Sequence, residues 1–320
     1  MNAFEGHVLK TVDKYNMITR GQTVIAAVSG GYDSLCMLNV LCKLRKIRGF
    51  DVCVAHINHM LRAEADADEE FVIKEAERLG IKAYTKKVNV SKYAEENKIS
   101  FETAGRILRY AFFEEISDKY ENTVVATAHN ANDSAESMLM HLMRGSGLTG
   151  LIGIRPKNEN VIRPLIETDR KDIEKYCDEN GLVPRHDCTN DSDDYHRNYI
   201  RHNVLASMLE RCSLLSLCRT MDVLSAEEEF LEQYTTNIIA ECVKHKNDEK
   251  HIQLSDFNKL PLAIRRRLLK YIIDDSREKQ LCMVHIDDII SMAEKNYGGK
   301  QLCLPGGIIA RIEKSFLIIK

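Results

Sequence analysis

No two of the ten cysteines are spaced as C-x-x-C, which excludes a paired-cysteine metal site and a dense disulfide framework. No stretch approaches the roughly 18 apolar residues that a membrane helix needs. The opening residues, Met1-Asn2-Ala3-Phe4-Glu5, lack the basic segment and apolar run of an export signal. Thiols outside any framework and no such signal give the expectation of a reducing cytosol, without a membrane partner. Charge of one sign is missing too. Lys and Arg number 45 against 48 Asp and Glu, for a net charge of −3. Dedicated nucleic-acid modules are usually basic, so RNA binding would have to come from a local patch.

What is present is an ordinary globular composition, 44% hydrophobic and 29% charged over 320 residues, a length that suits two domains. From Thr23 to Arg163 short apolar runs alternate with amphipathic stretches. Strands are expected over Thr23 to Val28, Asp51 to His56, Ile81 to Val88 and Thr123 to Ala128. Helices are expected over Leu35 to Ile47, Glu64 to Leu79, Thr103 to Ser117 and Asn132 to Met143. That alternation predicts an α/β doubly wound, mostly parallel sheet with helices on both faces. Beyond Asn203 the pattern turns mainly helical, with short strands expected at Gln301 to Leu304, Ile308 to Ile312 and Phe316 to Ile319. The expected division is a catalytic domain over 1–205 and a mainly helical one over 206–320.

Ser29-Gly30-Gly31-Tyr32-Asp33-Ser34 sits between the first strand and its helix, where open parallel sheets bind ligands. Two glycines let backbone approach phosphate oxygens, Ser29 and Ser34 bring hydroxyls, and the helix N-terminus supplies unpaired N–H groups. Asp33 would repel phosphate unless a divalent cation lay between them, which makes it a magnesium ligand candidate. The plain alternative is a capped Gly-Gly turn; the strand before and helix after favour function. The lysine of a Walker A loop is missing, which points away from kinase-type chemistry and toward other nucleotide chemistry, cleavage between the α and β phosphates being one option.

Past the fourth strand, Asp133 and Glu136 lie three apart on one helix face, opposite an apolar stripe of Ala135, Met138, Leu139 and Leu142. Like charges at that spacing repel by a few tenths of a kcal/mol, so they read either as a solvated first turn or as a site for a cationic group. Their place on the ligand edge of the sheet favours the ammonium. On the preceding helix Glu102, Arg106 and Arg109 share a face, either as a surface ladder or near the phosphates. His56 and His129 end strands at the same rim.

Together these residues resemble a known family. Ser29 to Ser34 matches the SGGxDS signature of the PP-loop, or N-type ATP pyrophosphatase, superfamily. Three further segments resemble the bacterial tRNA(Ile)-lysidine synthetases within it: His56-Ile57-Asn58-His59-Met60-Leu61-Arg62, then Thr127 to Glu136 with Arg144-Gly145-Ser146-Gly147, and Asp187 to His202 with Arg197-Asn198-x-x-Arg201. Leu304-Pro305-Gly306-Gly307 looks like the end of that family's first C-terminal domain. Many members carry a further domain beyond it. Many also read His-His-x-Asp-Asp-Gln where this chain has Asn130, Asn132 and Ser134.

The resemblance implies that ATP adenylylates the carbonyl oxygen on carbon 2 of the wobble cytidine in an isoleucine tRNA with a CAU anticodon. The ε-amine of free L-lysine then displaces AMP. It implies magnesium at Asp33, ATP at Ser29 to Ser34 with His56 and His129 beside it, Arg109 near the reacting groups, and lysine at Asp133 and Glu136. It also implies tRNA contacts from Arg62, Arg144, Arg197 and Arg201, and a homodimer. In the second domain Arg265 and Arg266, with Arg267 and Lys270, form a basic patch that either grips tRNA or is a solvated turn. The rivals are a PP-loop tRNA sulfur transferase, disfavoured by the lack of C-x-x-C, and a non-catalytic ATP- or RNA-binding module.

Overall fold

The computed structural model describes residues 1–60, 65–185, 196–274, 282–295 and 298–320. It divides into two compact units, Met1–Asp222 and Val223–Lys320.

The first unit is built on a six-stranded sheet. In chain order its strands are β1 (Thr23–Ala27), β2 (Asp51–Asn58), β3 (Lys82–Lys87), β4 (Thr123–Ala126), β5 (Lys157–Asn158) and β6 (Val161–Ile162), arranged as β3-β2-β1-β4-β6-β5. All pairings are parallel except the β5–β6 hairpin. β1 is TVIAA and pairs with β2 on one side and β4 on the other. The chain therefore reverses its winding direction at β1 and β4, opening a crevice at their C-terminal ends. β3 is the edge strand, and its lysines 82, 86 and 87 discourage further pairing there.

Helices cover both faces. The first three are α1 (Ala3–Lys14), α2 (Tyr32–Arg48) and α3 (Ala65–Arg78), followed by α4 (Val90–Asn97) and α5 (Phe101–Ser117). Then come α6 (Ala131–Met143), α7 (Leu148–Leu151) and α8 (Arg170–Glu179). Val24 and Ala26 of β1 share a buried cluster with residues of α1, α2, α3 and α8. Ile25 faces the opposite way, against Phe112, Phe113 and Ile116 of α5. That alternation is the period-2 geometry of a strand buried on both faces. α2 has Leu35, Cys36, Met37, Leu38, Val40, Leu41 and Leu44 all buried, and it ends on Gly49 at φ 69°, the left-handed stop that glycine accepts most easily.

α1, α4 and α8 escape the sequence pattern. α1 opens with a capping box between Asn2 and Glu5; α4 and α8 carry few apolar residues. After α8 come α9 (His196–Tyr199), a π-helical turn (Ile200–Leu205) and α10 (Ala206–Leu209).

The unit boundary falls within α11 (Leu214–Cys242). The second unit has α12 (Leu254–Lys259), α13 (Leu262–Asp274) and α14 (Met283–Lys295). Its strands are β7 (Val243–Lys246), β8 (Glu249–Gln253), β9 (Gln301–Leu304), β10 (Ile308–Glu313) and β11 (Phe316–Ile319). They form an antiparallel sheet ordered β7-β8-β11-β10-β9, which shares a core with the helices. The last three strands lie where the sequence places them. The β7–β8 hairpin is an addition, in the stretch beyond Asn203 that is expected to be mainly helical. Only Val243 and Ile252 of this hairpin are buried, so its alternation is nearly silent. Its turn uses Asn247 and Asp248 at φ 50° and 60°, two consecutive left-handed residues of the kind a tight hairpin requires. No helix among the described residues is long and apolar enough to cross a membrane.

Candidate active site

The crevice at the C-terminal ends of β1, β2 and β4 holds a cavity of ≈ 600 Å³, walled by Ser29, Asp33 and Ser34, by His56 and His59, by Arg109, and by His129, Asp133, Arg197 and Arg201 among others.

The glycine loop is organised around one hydroxyl. Ser34 Oγ accepts from the amides of Ser29 and Gly30, each at 3.2 Å, and donates to the Gly31 carbonyl at 3.0 Å. Ser34 therefore shapes the loop itself, while Ser29 Oγ lies 3.2 Å from it at the cavity wall. Gly30 has φ +96°, a conformation other residues rarely adopt. Its carbonyl accepts the Arg185 amide at 3.0 Å, which ties the loop to the segment after α8. The first helical bond of α2 runs from Leu35 N to Gly31 O at 3.0 Å. The amides of Tyr32, Asp33 and Ser34 thus have no acceptor within the helix and are the donors an anion would meet.

Asp33, in the first turn of α2, faces this cavity. Burial raises its pKa, and the nearby Asp133 carboxylate adds to the rise, while Arg170, Asn130 and Arg201 oppose it. A half-buried carboxylate beside a second one suits a divalent cation that takes one or two carboxylates and completes its shell with substrate oxygens. Asn130 donates from Nδ2 to Asp33 Oδ1 at 2.9 Å.

Asn130 also caps α6. Its Oδ1 accepts from Asp133 N and its own amide donates to Asp133 Oδ2, both at 3.0 Å. One turn on, Glu136 is 1% exposed. Arg197 donates from Nε to Glu136 Oε2 at 2.8 Å and from Nη2 to Asp133 Oδ1 at 3.0 Å. Arg201 donates from Nε to Glu136 Oε1 at 2.6 Å and from Nη2 to Glu136 Oε2 at 3.1 Å. All four oxygens of the carboxylate pair therefore accept a hydrogen bond, three of them from guanidinium groups. Burial opposes the charge on Arg201, but Glu136 and Asp133 more than compensate and raise its pKa. The residues expected to hold lysine and two of those expected to touch tRNA are thus bonded to one another.

The imidazoles form the remaining wall. His56, 4% exposed, places Nδ1 2.8 Å from the Val28 carbonyl. A carbonyl only accepts, so Nδ1 carries a proton and donates to it, which leaves Nε2 as the ring's other nitrogen. That Nε2 is buried and has no partner among the described residues. His129 packs its Nδ1 3.0 Å from Thr127 Oγ1. Burial pushes its pKa down to about 4, with Arg163, Arg197 and Arg109 contributing and Asp133 opposing. Arg109 itself is depressed by burial, partly offset by Tyr110, with Arg106 pushing the same way as burial.

Of the other expected site residues, Gly30, Gly31 and Tyr32 support the loop behind the wall, and Glu136 lies beneath the surface of the pair. Arg144 is exposed at the end of α6. Arg62 lies outside the described residues, as do 187–195 of the third segment. In the second unit Arg265 bonds Glu294 Oε1 at 2.7 Å and Arg266 grips Asp287 at 2.8 and 2.9 Å. Three contributors carry no assigned role in the sequence reading. His59 lines the cavity with an unpartnered, buried Nδ1 and a pKa pushed down to about 4 by burial, Arg109 and His56. Asn130 and Arg185 are the others. His59 had a signal in its spacing, three residues beyond His56 and just past a strand end; Asn130 and Arg185 act through bonds to Asp33 and Gly30, far from them along the chain.

Residues 3–208 match the family model described as a PP-loop domain. The tRNA(Ile)-lysidine synthase of Clostridium acetobutylicum is 40% identical over 312 residues, spanning 95% of this chain and 67% of that one. The enzyme of the same name from Clostridioides difficile is 36% identical over 323 residues, spanning 98% and 69%. Among solved structures, the U34-tRNA thiolase NcsA from Methanococcus maripaludis superposes with a TM-score of 0.56 at 17% identity, covering 69% of this chain and 77% of that one. At that identity the likeness concerns the fold alone.

Proposed function

The chain belongs to the PP-loop family and to the tRNA(Ile)-lysidine synthases, and we propose that it uses ATP to ligate free lysine to carbon 2 of the wobble cytidine of isoleucine tRNA. The cytidine carbonyl oxygen attacks the α-phosphate of ATP, and pyrophosphate leaves. The lysine ε-amine then attacks the activated carbon and AMP leaves, carrying the bonding electrons of the broken C–O bond. No protein nucleophile is needed.

The observation that carries this reading is the carboxylate pair beside the phosphate loop, which already holds two cations. Ser29 and the amides opening α2 would receive the phosphates, and Arg109, desolvated at the wall, would face charge building on them. Asp33 would hold a magnesium ion, which when bound draws negative charge off the phosphate oxygens. Asp133 and Glu136 would take the cationic groups of lysine in exchange for a guanidinium. Arg197 is the readier to yield, with its side chain 41% exposed against 21% for Arg201. The sulfur-transfer alternative has no support from the relatives. A cytosolic homodimer is the assembly this reading carries with it.

Labelled lysine, ATP and isoleucine tRNA with a CAU anticodon test it directly. The expected result is label in the tRNA, dependent on ATP and lost when the wobble cytidine is replaced. Pyrophosphate release without transfer of lysine would overturn it.

A further inference from the structure

We infer that Asn130 is a positioning residue for the first step: it fixes which oxygen of Asp33 is presented to the cation. The inference rests on the reading of Asp33 as the cation ligand. Asn130 is 1% exposed, so its amide satisfies its hydrogen bonds within the protein. Its orientation is determined by its neighbours. Oδ1 accepts from Asp133 N at 3.0 Å, and a backbone N–H can only donate. Nδ2 must therefore point the other way, at Asp33 Oδ1 2.9 Å off. A donor there requires that this oxygen accept, which leaves Asp33 Oδ2 to turn to the cavity.

The same residue ties the two carboxylates to each other's positions. Asn130 N donates to Asp133 Oδ2 at 3.0 Å, so Asp133 is pinned from its own N-cap while Asp33 is pinned from a helix 97 residues away in sequence. Two half-buried carboxylates repel, and Asp133 is one cause of the raised pKa of Asp33. A neutral amide between them supplies a donor without adding charge. A serine or threonine could cap α6 but would not span to Asp33.

Asn130→Ser separates the two roles, because serine caps a helix about as well as asparagine. The full chain would be titrated with Mn²⁺ in the presence of α,β-methylene ATP, followed by the electron paramagnetic resonance of the free ion, alongside thermal unfolding. The expected result is a Tm within about 4 °C of the parent and Mn²⁺ bound about ten- to a hundredfold more weakly, the usual size of a lost hydrogen bond to a charged group. Asn130→Thr, a second hydroxyl cap, gives the same readout if the serine variant folds poorly. Asp33→Asn is the reference. If Asp33→Asn loses Mn²⁺ while the Asn130 variants bind it like the parent, this inference falls alone. If Asp33→Asn binds Mn²⁺ like the parent, the cation reading beneath it falls.

Discussion

Arg201 donates from Nε to Oε1 of Glu136 at 2.6 Å, beneath a cavity wall where Glu136 is 1% exposed. The bond joins the first turns of α6 to the π-helical turn, and the apolar residues around it, Ala131, Ala135 and Leu139 against Ile200 and Leu205, belong to one cluster. Function and packing therefore share the same residues. Glu136→Ala would leave Arg201, half-buried, with only its longer 3.5 Å bond to Asp133, and should cost about 1.5–3 kcal/mol of stability, the scale of lost hydrogen bonds to a charged group. Chemical denaturation of the variant checks the figure.

Asp133→Asn and Glu136→Gln keep the shape of the pair while removing charge. Each should raise the KM for lysine by about ten- to a hundredfold and leave the KM for ATP nearly unchanged. Arg197→Ala removes the more exposed competing cation and should lower the KM for lysine. Equal effects of all three on both substrates would reduce the pair to a clasp that holds the helix following 195.

The half-buried histidines His59 and His129 give stability a defined acid dependence. His59 and His129 both fall from the ordinary 6.5 to about 4. The unfolded chain therefore binds more protons than the folded one in that window. Their contribution is complete above pH 6.5 and is lost as pH falls toward 4. His59→Asn and His129→Asn should each flatten the fall of Tm between about pH 7 and about pH 4.5. An unchanged slope in both would mean that the rings reach water in the folded protein.

Four of the six strands in the doubly wound half were legible because short, mostly apolar runs alternate with helical stretches, and because Gly30-Gly31 punctuates the one turn where a ligand must approach. β5 and β6, two residues each, are too short to show a period. Asp33, His129 and Asp133 were legible as residues of one rim, since each follows a strand end, whereas the face of Arg109 read equally as a surface ladder and only the resemblance placed it near the reacting groups. Their bonding partners were not. Nothing in the spacing of Arg197 and Arg201, 61 and 65 positions beyond Glu136, says that both turn inward to it. The three departures from the resembling motif have local causes that only coordinates reveal. Asn130 bridges two aspartates, Asn132 Oδ1 accepts from Arg170 N at 3.0 Å, and Ser134 Oγ accepts from Ile154 N at 2.9 Å.

Ser134 leads to a prediction about Gly153. That glycine has φ +68°, and a Cβ on it would lie 2.4 Å from Ser134 Oγ and 2.9 Å from the Ser134 carbonyl oxygen. Neither the conformation nor the space suits a side chain. Gly153→Ala should destabilise by about 1–3 kcal/mol, read by thermal unfolding. Gly147→Ala, where nothing lies within 4 Å of the added carbon and φ is −75°, is the control and should leave Tm near the parent's.

The arginine run of α13 gives the last test. Arg265, Arg266 and Arg267 reach three different carboxylates, Glu294, Asp287 and Glu228, because consecutive helical residues diverge by about 100° each. A phosphate arriving at Arg265 or Arg266 would have to displace a bond of 2.7–2.9 Å. Arg265→Ala with Arg266→Ala should therefore leave the salt dependence of tRNA affinity unchanged. Were either arginine bound to a tRNA phosphate, its removal would instead lower the slope by about 0.7–0.9. Arg267→Ala should behave differently from that pair. Its partner Glu228 has a side chain only 4% exposed, so the variant leaves a carboxylate buried away from its guanidinium. A loss of stability on the scale of hydrogen bonds to a charged group is expected, about 1.5–3 kcal/mol. A reduced salt slope in the double variant, with stability intact, would return the patch to the tRNA.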